Sequence, residues 1–426
     1  MSRNNLGFAI FMTLLLIAPK IPLKIPGGAA GSSVSLGLAG LVLWYLASPG
    51  KLFYFPRIPV SHPLFWIIIF AIYAFVVSLL SASIVSIAYS VQYLLYVALG
   101  TILMKRYGCN FANMNCKRVR SILFAVGIVF SIGIVASLLT GPIYPHQVRT
   151  TQRQWAGLAI QQGVGFSEGY SMAALVVIFF AAACIYLYRG KTRKKRILLS
   201  LLLFALLATL SRGAIFSFAL ALGFVCCLDS VEPLVQRASI KVSVLKNIGF
   251  VISALSFLII LIGLGIYSVN KSVLIAILSG FGLGHQHGVV SRDMAARFNL
   301  WAWGMDVWTS GGLLKMIFGG GFRSSMTVGA AWKDAHNVYI TILGDFGLIG
   351  MVVFLGALCA AFLRYSRLFI TGKARGIEKF GLLVLLALCI DNLTGPYFYS
   401  PVCLSLLIFT LAVTSCPVDQ KNQLLC

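Results

Sequence analysis

The residues of this chain best equipped for chemistry lie between 269 and 337, its one long polar stretch. That stretch holds Arg292, Arg297, Arg323, Lys315, Lys333, Asp293, Asp306 and Asp334, together with three of the five histidines. A glycine run, Gly319-Gly320-Gly321, precedes Phe322-Arg323, and the stretch closes on Asp334-Ala335-His336-Asn337-Val338-Tyr339. Arginine has a planar fork that grips phosphate-like oxygens in pairs and keeps its charge in a partly dry site. Histidine titrates nearest to neutral pH and is the commonest acceptor of a hydroxyl proton. His336 is the candidate base, with a structural hydrogen bond at a helix start as the plainer alternative. His285 and His287, two apart in a glycine-rich segment, suit a solvated turn better than zinc, because no further ligands lie near them.

The elements that must position these groups are membrane helices. Of the 426 residues, 59% are hydrophobic and 10% charged, with a mean hydropathy of +0.94, so the chain cannot close a water-soluble surface. The fold class expected is all-α: a single integral-membrane domain of about 12 transmembrane helices, with a large extracytoplasmic loop containing an amphipathic helix. Apolar spans fall at 6–22, 33–48, 64–80, 84–104, 121–139, 170–188, 197–210, 213–228, 248–268, 338–363, 380–394 and 398–415. Residues 1–139 carry the N-terminal spans and 338–426 the C-terminal ones, with 140–169 and 269–337 as the loops that form the site. Although Met1-Ser2-Arg3 and the apolar run after it look like a signal peptide, Pro19, Lys20, Pro22 and Lys24 stand where small residues would be needed for cleavage.

Charge sets the orientation. With the N-terminus inside, 23 of the 34 Lys and Arg residues fall on the cytoplasmic side, including Arg189-Gly190-Lys191-Thr192-Arg193-Lys194-Lys195-Arg196 and the group Arg364 to Lys379. Cytoplasmic loops retain basic residues during insertion, so both termini are expected inside and 269–337 outside. The net charge of +24 is spaced between apolar spans and forms no soluble basic patch, which argues against nucleic acid and for membrane lipids as the partner.

Basic residues on the outer face need a reason other than insertion, and anion binding is the economical one. Segment 140–169 offers His146, Arg149, Arg153 and Glu168, and the tight turn Ser211-Arg212-Gly213 puts Arg212 at the outer boundary. Ser291 to Ser310 has the spacing of an interfacial helix, with Phe298, Trp301, Met305 and Trp308 on one stripe and Arg297 and Asp306 off it. The ten cysteines avoid the long polar stretch and lack metal-ligand clustering, so neither disulfides nor metal sites are expected.

Three segments resemble the O-antigen ligase and O-antigen polymerase superfamily of bacterial integral-membrane glycosyltransferases. Leu210-Ser211-Arg212-Gly213-Ala214 is similar to the family's Ser-Arg-Gly turn. Arg297-Phe298-Asn299-Leu300-Trp301 and Phe318-Gly319-Gly320-Gly321-Phe322 resemble its Arg-x-x-x-Trp helix and glycine-rich bend. Ala335-His336-Asn337-Val338-Tyr339-Ile340, running on to Gly344-Asp345-Phe346-Gly347-Leu348-Ile349-Gly350, resembles its His-Asn-x-Tyr to Gly-Leu-Ile-Gly segment, with Asp345 where Glu is usual.

The resemblance implies a donor glycan on undecaprenyl diphosphate, moved en bloc to a sugar hydroxyl at the periplasmic face of the inner membrane. The acceptor is lipid A core oligosaccharide for a ligase, or another lipid-linked glycan for a polymerase. Negative charge grows on the departing diphosphate, and preorganised cations stabilise it. Arg212 and Arg297 are placed in that role beside His336 as base, and Arg149, Arg153, Arg323, Trp301, Asn337, Tyr339 and Asp345 are assigned to substrate binding. Asp334 or Asp345 is available to orient the imidazole. No Asp-x-Asp pair lies on the outer face, so no metal or other cofactor is required. A flippase or transporter of lipid-linked or anionic sugars is the competing class, which internal repetition between the two halves would favour; no convincing repetition is present.

Overall fold

Apolar runs punctuated by proline, glycine and serine become helices in this chain, and their packing follows from which faces stay apolar. The computed structural model describes residues 3–16, 20–22, 33–47, 58–112, 117–141, 152–155, 158–164, 170–188, 192–237, 289–325, 335–370, 374–393, 395 and 400–414. The helices before the long polar stretch are α1 (Arg3–Leu16), α2 (Leu36–Ala47), α3 (Pro63–Leu80), α4 (Ile84–Ala112), α5 (Lys117–Thr140), α6 (Tyr170–Leu187), α7 (Thr192–Ala208) and α8 (Arg212–Arg237). After it begins come α9 (Val289–Ser310), α10 (Gly312–Phe318), α11 (Val338–Ile370), α12 (Gly376–Asp391) and α13 (Pro401–Thr414). Among the described residues, six helices are long and apolar enough to cross a bilayer, over Pro63–Leu80, Ile84–Leu103, Ser121–Thr140, Tyr170–Leu187, Arg212–Ser230 and Val338–Phe369. The chain is therefore a helical, multi-span membrane protein.

Helix α3 shows how the sequence sets such a span. His62 caps it through Nδ1, which accepts from Leu64 N at 3.2 Å, and Pro63 follows where its missing N–H leaves nothing unsatisfied. Ile67, Phe70, Ala71, Ala74, Val77 and Ser78 recur at helical spacing and are buried, while Ile72, Val76, Leu79 and Leu80 are exposed. Large apolar side chains left outside a packed helix suit hydrocarbon rather than water. By contrast α6 is buried all round from Ala173 to Cys184, as a helix at the centre of a bundle must be. It packs against α5, α7, α8, α12 and α13.

Two departures from the expected spans have local causes. Within the run 6–22 the described helix α1 reaches Leu16, and Lys20–Pro22 form strand β1, which pairs antiparallel with β2 (Ser33–Ser35), Lys20 opposite Ser35. Pro19 and Pro22 cannot continue a helix, since each lacks an N–H and crowds the preceding turn. Segment 140–169 contains a second hairpin, β3 (Gln152–Trp155) with β4 (Leu158–Gln161), Arg153 opposite Ile160. The expected span 248–268 lies outside the described residues.

The helix ends sort into two opposite groups. At one end Val164 N donates to Ser137 Oγ at 3.0 Å, Gly163 N to Ala208 O at 2.8 Å and Val338 N to Asn392 O at 3.0 Å. At the other, Lys195 Nζ donates to Ile185 O at 2.6 Å, and Lys379 Nζ pairs with Asp229 Oδ1 at 2.8 Å. Arg375 pairs with Glu378 there, Arg375 N donating to Glu378 Oε2 at 2.9 Å.

Candidate active site

The site grows from a break in a membrane helix. α11 turns non-helical at Gly347, with φ 64° and ψ −168°, a backbone that only glycine adopts without strain. Gly319, at φ 84°, faces it. A Cβ on Gly347 would fall on the Ile317 carbonyl, and one on Gly319 would fall on the backbone of Asp345 and Phe346. The two glycines thus let the 319–325 turn seat in the break itself.

A broken helix releases carbonyls that hydrocarbon cannot satisfy, and here protein groups take them. Gly320 N and Gly321 N donate to Asp345 O at 2.9 and 2.8 Å. The Tyr73 hydroxyl bridges Phe318 O at 2.8 Å and Phe346 O at 3.2 Å. The Asp345 side chain, 0% exposed, closes the turn from the other side. Its Oδ2 accepts from Arg323 N at 2.8 Å, and its Oδ1 accepts from Ser325 N at 2.9 Å and Ser325 Oγ at 2.7 Å. Ser324 Oγ adds a longer bond to Oδ1 at 3.4 Å. Asp345 is the clamp of the glycine-rich turn.

Packing from α3 and α4 finishes the assembly. Phe322 N donates to Ser78 Oγ at 3.3 Å, and the Phe322 ring lies 4.9 Å from Phe346 and 5.4 Å from Tyr93, centroid to centroid. Arg323 has a left-handed backbone, φ 60°, and its guanidinium carbon sits 4.1 Å over the centroid of Tyr89.

About two helical turns before Asp345, the start of α11 carries the candidate base. Asn337 is buried and caps the helix, its Oδ1 accepting from Tyr339 N at 2.9 Å and Ile340 N at 3.3 Å. His336 precedes the cap with φ 48°, and its side chain is exposed. The Tyr339 hydroxyl donates to Cys389 O at 3.0 Å, so it ties α11 to α12. α9 reaches the same corner: a Cβ at Gly304 would meet Ile340 and Ala335, Met305 is buried, and Trp308 Nε1 donates to Met316 O at 3.0 Å. Trp301 and Trp308 are half-buried and Asp306 exposed, while Val307, off the expected stripe, is buried as well.

The remaining expected site residues fall as follows. Arg212 begins α8 and is exposed, beside Ser211, whose Oγ lies 3.5 Å from Ser171 Oγ. Arg297 lies within α9 and Arg153 within β3. Arg149, Lys333, Asp334, His146, His285 and His287 lie outside the described residues. A further buried carboxylate, Asp391, stands at the end of α12 next to Asn392, whose carbonyl receives Val338 N. An acid near the end of an apolar run is itself a signal of function in a membrane protein. A small cavity beneath this corner, lined by Tyr339, Phe354, Leu385, Cys389, Cys403 and Leu407, has room for about one water molecule.

Compared with protein-family models and with curated proteins, the chain matches none.

Proposed function

We propose that this chain is a glycosyltransferase of the O-antigen ligase or polymerase type, with twelve spans, both termini cytoplasmic and its site at the periplasmic face of a bacterial inner membrane. The donor is a glycan on undecaprenyl diphosphate and the acceptor a sugar hydroxyl, on lipid A core or on another lipid-linked glycan. Arg212 and Arg297 stabilise the departing diphosphate, His336 takes the acceptor's proton, and no metal takes part in this scheme.

The observation that supports this most is the joining of two separately recognised segments. The glycine-rich bend at 318–322 and the Gly-Asp-Phe-Gly break at 344–347 resemble one family independently, and Gly320 and Gly321 donate directly to Asp345 O. Residues 335–339, with the exposed His336, open the same helix. The transporter alternative draws on the interrupted α11, since discontinuous helices bind substrates and ions in many transporters. In this chain two of the released carbonyls, Asp345 O and Phe346 O, have partners in the backbone of Gly320 and Gly321 and in Tyr73, which weighs against that reading. Reconstitution with an undecaprenyl-linked donor, each acceptor offered separately and product size read on a gel, tests the proposal. Movement of donor across the bilayer with no transfer to either acceptor would overturn it.

A further inference from the structure

The first five spans contain no segment that resembles the family, yet one of their residues touches a candidate binding group. Tyr89 lies on α4, early in the chain, and its ring supports the Arg323 guanidinium at 4.1 Å, well inside the range of a cation–π contact. We propose that Tyr89 is a positioning residue that holds Arg323 in place for the anionic group of the donor. This inference rests on the glycosyltransferase reading for the identity of that group.

The placement of Arg323 is determined from both ends. Its backbone is held left-handed, φ 60°, an unfavourable conformation for a side chain other than glycine's, and Asp345 Oδ2 fixes its N–H at 2.8 Å. Its neighbours are pinned as well: Phe322 N donates to Ser78 Oγ at 3.3 Å, and Ser325 N to Asp345 Oδ1 at 2.9 Å. A strained backbone kept by surrounding bonds is typical of a residue whose direction matters. The backbone alone would still leave a long side chain with several rotamers, and the tyrosine face selects among them. The guanidinium carbon lies 4.1 Å over the ring centroid, so the tyrosine face holds the group whose N–H donors grip phosphate oxygens in pairs. Tyr89 therefore orders the cation that an anionic group would meet. Without the ring, part of the side chain's rotamer entropy must be lost when the anion binds.

The test is a double-mutant cycle on the full-length protein with two readouts, glycan transfer and binding of undecaprenyl diphosphate itself. Tyr89→Leu should raise the donor KM on the order of fivefold, the size of a partly desolvated cation–π contact, with its effect on KM rather than kcat. Tyr89→Phe keeps the ring face and should restore most of the affinity. In an Arg323→Ala background, Tyr89→Leu should add nothing. Additive losses in the double variant, or a Phe variant as weak as Leu, would show that Tyr89 merely packs. If wild-type protein binds undecaprenyl diphosphate but transfers no glycan, the enzyme reading falls while the cycle still reads out on binding. If wild-type protein does not bind the diphosphate lipid at all, both readings fall.

Discussion

Replacing Asp345 with alanine should release the 319–325 turn. The side chain is fully buried and accepts from Ser325 N and Ser325 Oγ in buried bonds, and from Arg323 N in a partly buried one. Loss of the acceptor strands Ser325 N–H, at about 1–3 kcal/mol for a buried donor. The serine hydroxyl can rotate toward another acceptor, and Arg323 N can reach water, so each adds only the lower part of that range. Against this, removing a buried charge returns some desolvation energy. The net expectation is about 2–3 kcal/mol of local destabilisation. Hydrogen–deuterium exchange of a peptide covering 318–325 reads this directly, because exchange through local opening scales with the opening equilibrium. At about 1.4 kcal/mol per tenfold, the Ala variant should exchange on the order of 10²-fold faster than wild type. Asp345→Asn keeps one acceptor oxygen and should show a smaller acceleration. Unchanged exchange in the Ala variant would refute the assignment of Asp345 as the clamp.

Arg212→Lys and Arg297→Lys should each lower transfer on the order of 10²-fold although charge is kept, since a point ammonium cannot reproduce a paired grip on phosphate; steady-state kinetics in proteoliposomes checks this, and near-normal rates would make both arginines structural. His336→Ala and His336→Gln should both lose roughly 10²- to 10⁴-fold in transfer while binding undecaprenyl diphosphate normally; a Gln variant with wild-type transfer would reduce His336 to an orienting residue. Gly347→Ala should cost about 1–3 kcal/mol for its glycine-only backbone conformation alone and more for the collision with Ile317 O. Protein yield in membranes and thermal stability in detergent should both fall, and a normal melting profile would contradict the seating of the turn in the helix break.

The membrane helices were legible because each is a run of apolar residues with its own punctuation. The expected spans 64–80 and 170–188 correspond to Pro63–Leu80 and Tyr170–Leu187, where Pro63 and the polar residues after Leu187 mark the limits. The glycine run and His336 were legible as types, but what surrounds them was not. Nothing local to Asp345 says that its carboxylate closes on residues 20 to 22 positions earlier, or that Ser78 reaches Phe322 across 244 positions. Gly347 sits in an apolar run indistinguishable by composition from an unbroken helix, and only the close approach of Ile317 requires its φ. The hairpin at 152–161 pairs short, partly polar strands whose alternation is too brief to detect. Tyr89 is one aromatic among many in an apolar helix, and its role appears only once Arg323 is set over it.

The clamp has a bearing on the order in which this protein is made. The turn at 319–325 depends on Ser78 and Tyr89, synthesised long before it, and on Asp345, which leaves the ribosome 22 residues after Arg323. Its early partners are waiting, but the carboxylate that fixes Arg323 and Ser325 arrives only with the first half of α11. The glycine bend therefore stays unlocked until the chain has been made past residue 345, and formation of the first half of α11 is the event that latches it. A chain stalled or cut before residue 345 would carry the arginines and the glycine run with only Tyr73, Ser78 and Tyr89 to hold them, and without the carboxylate that fixes Arg323 N and Ser325 N.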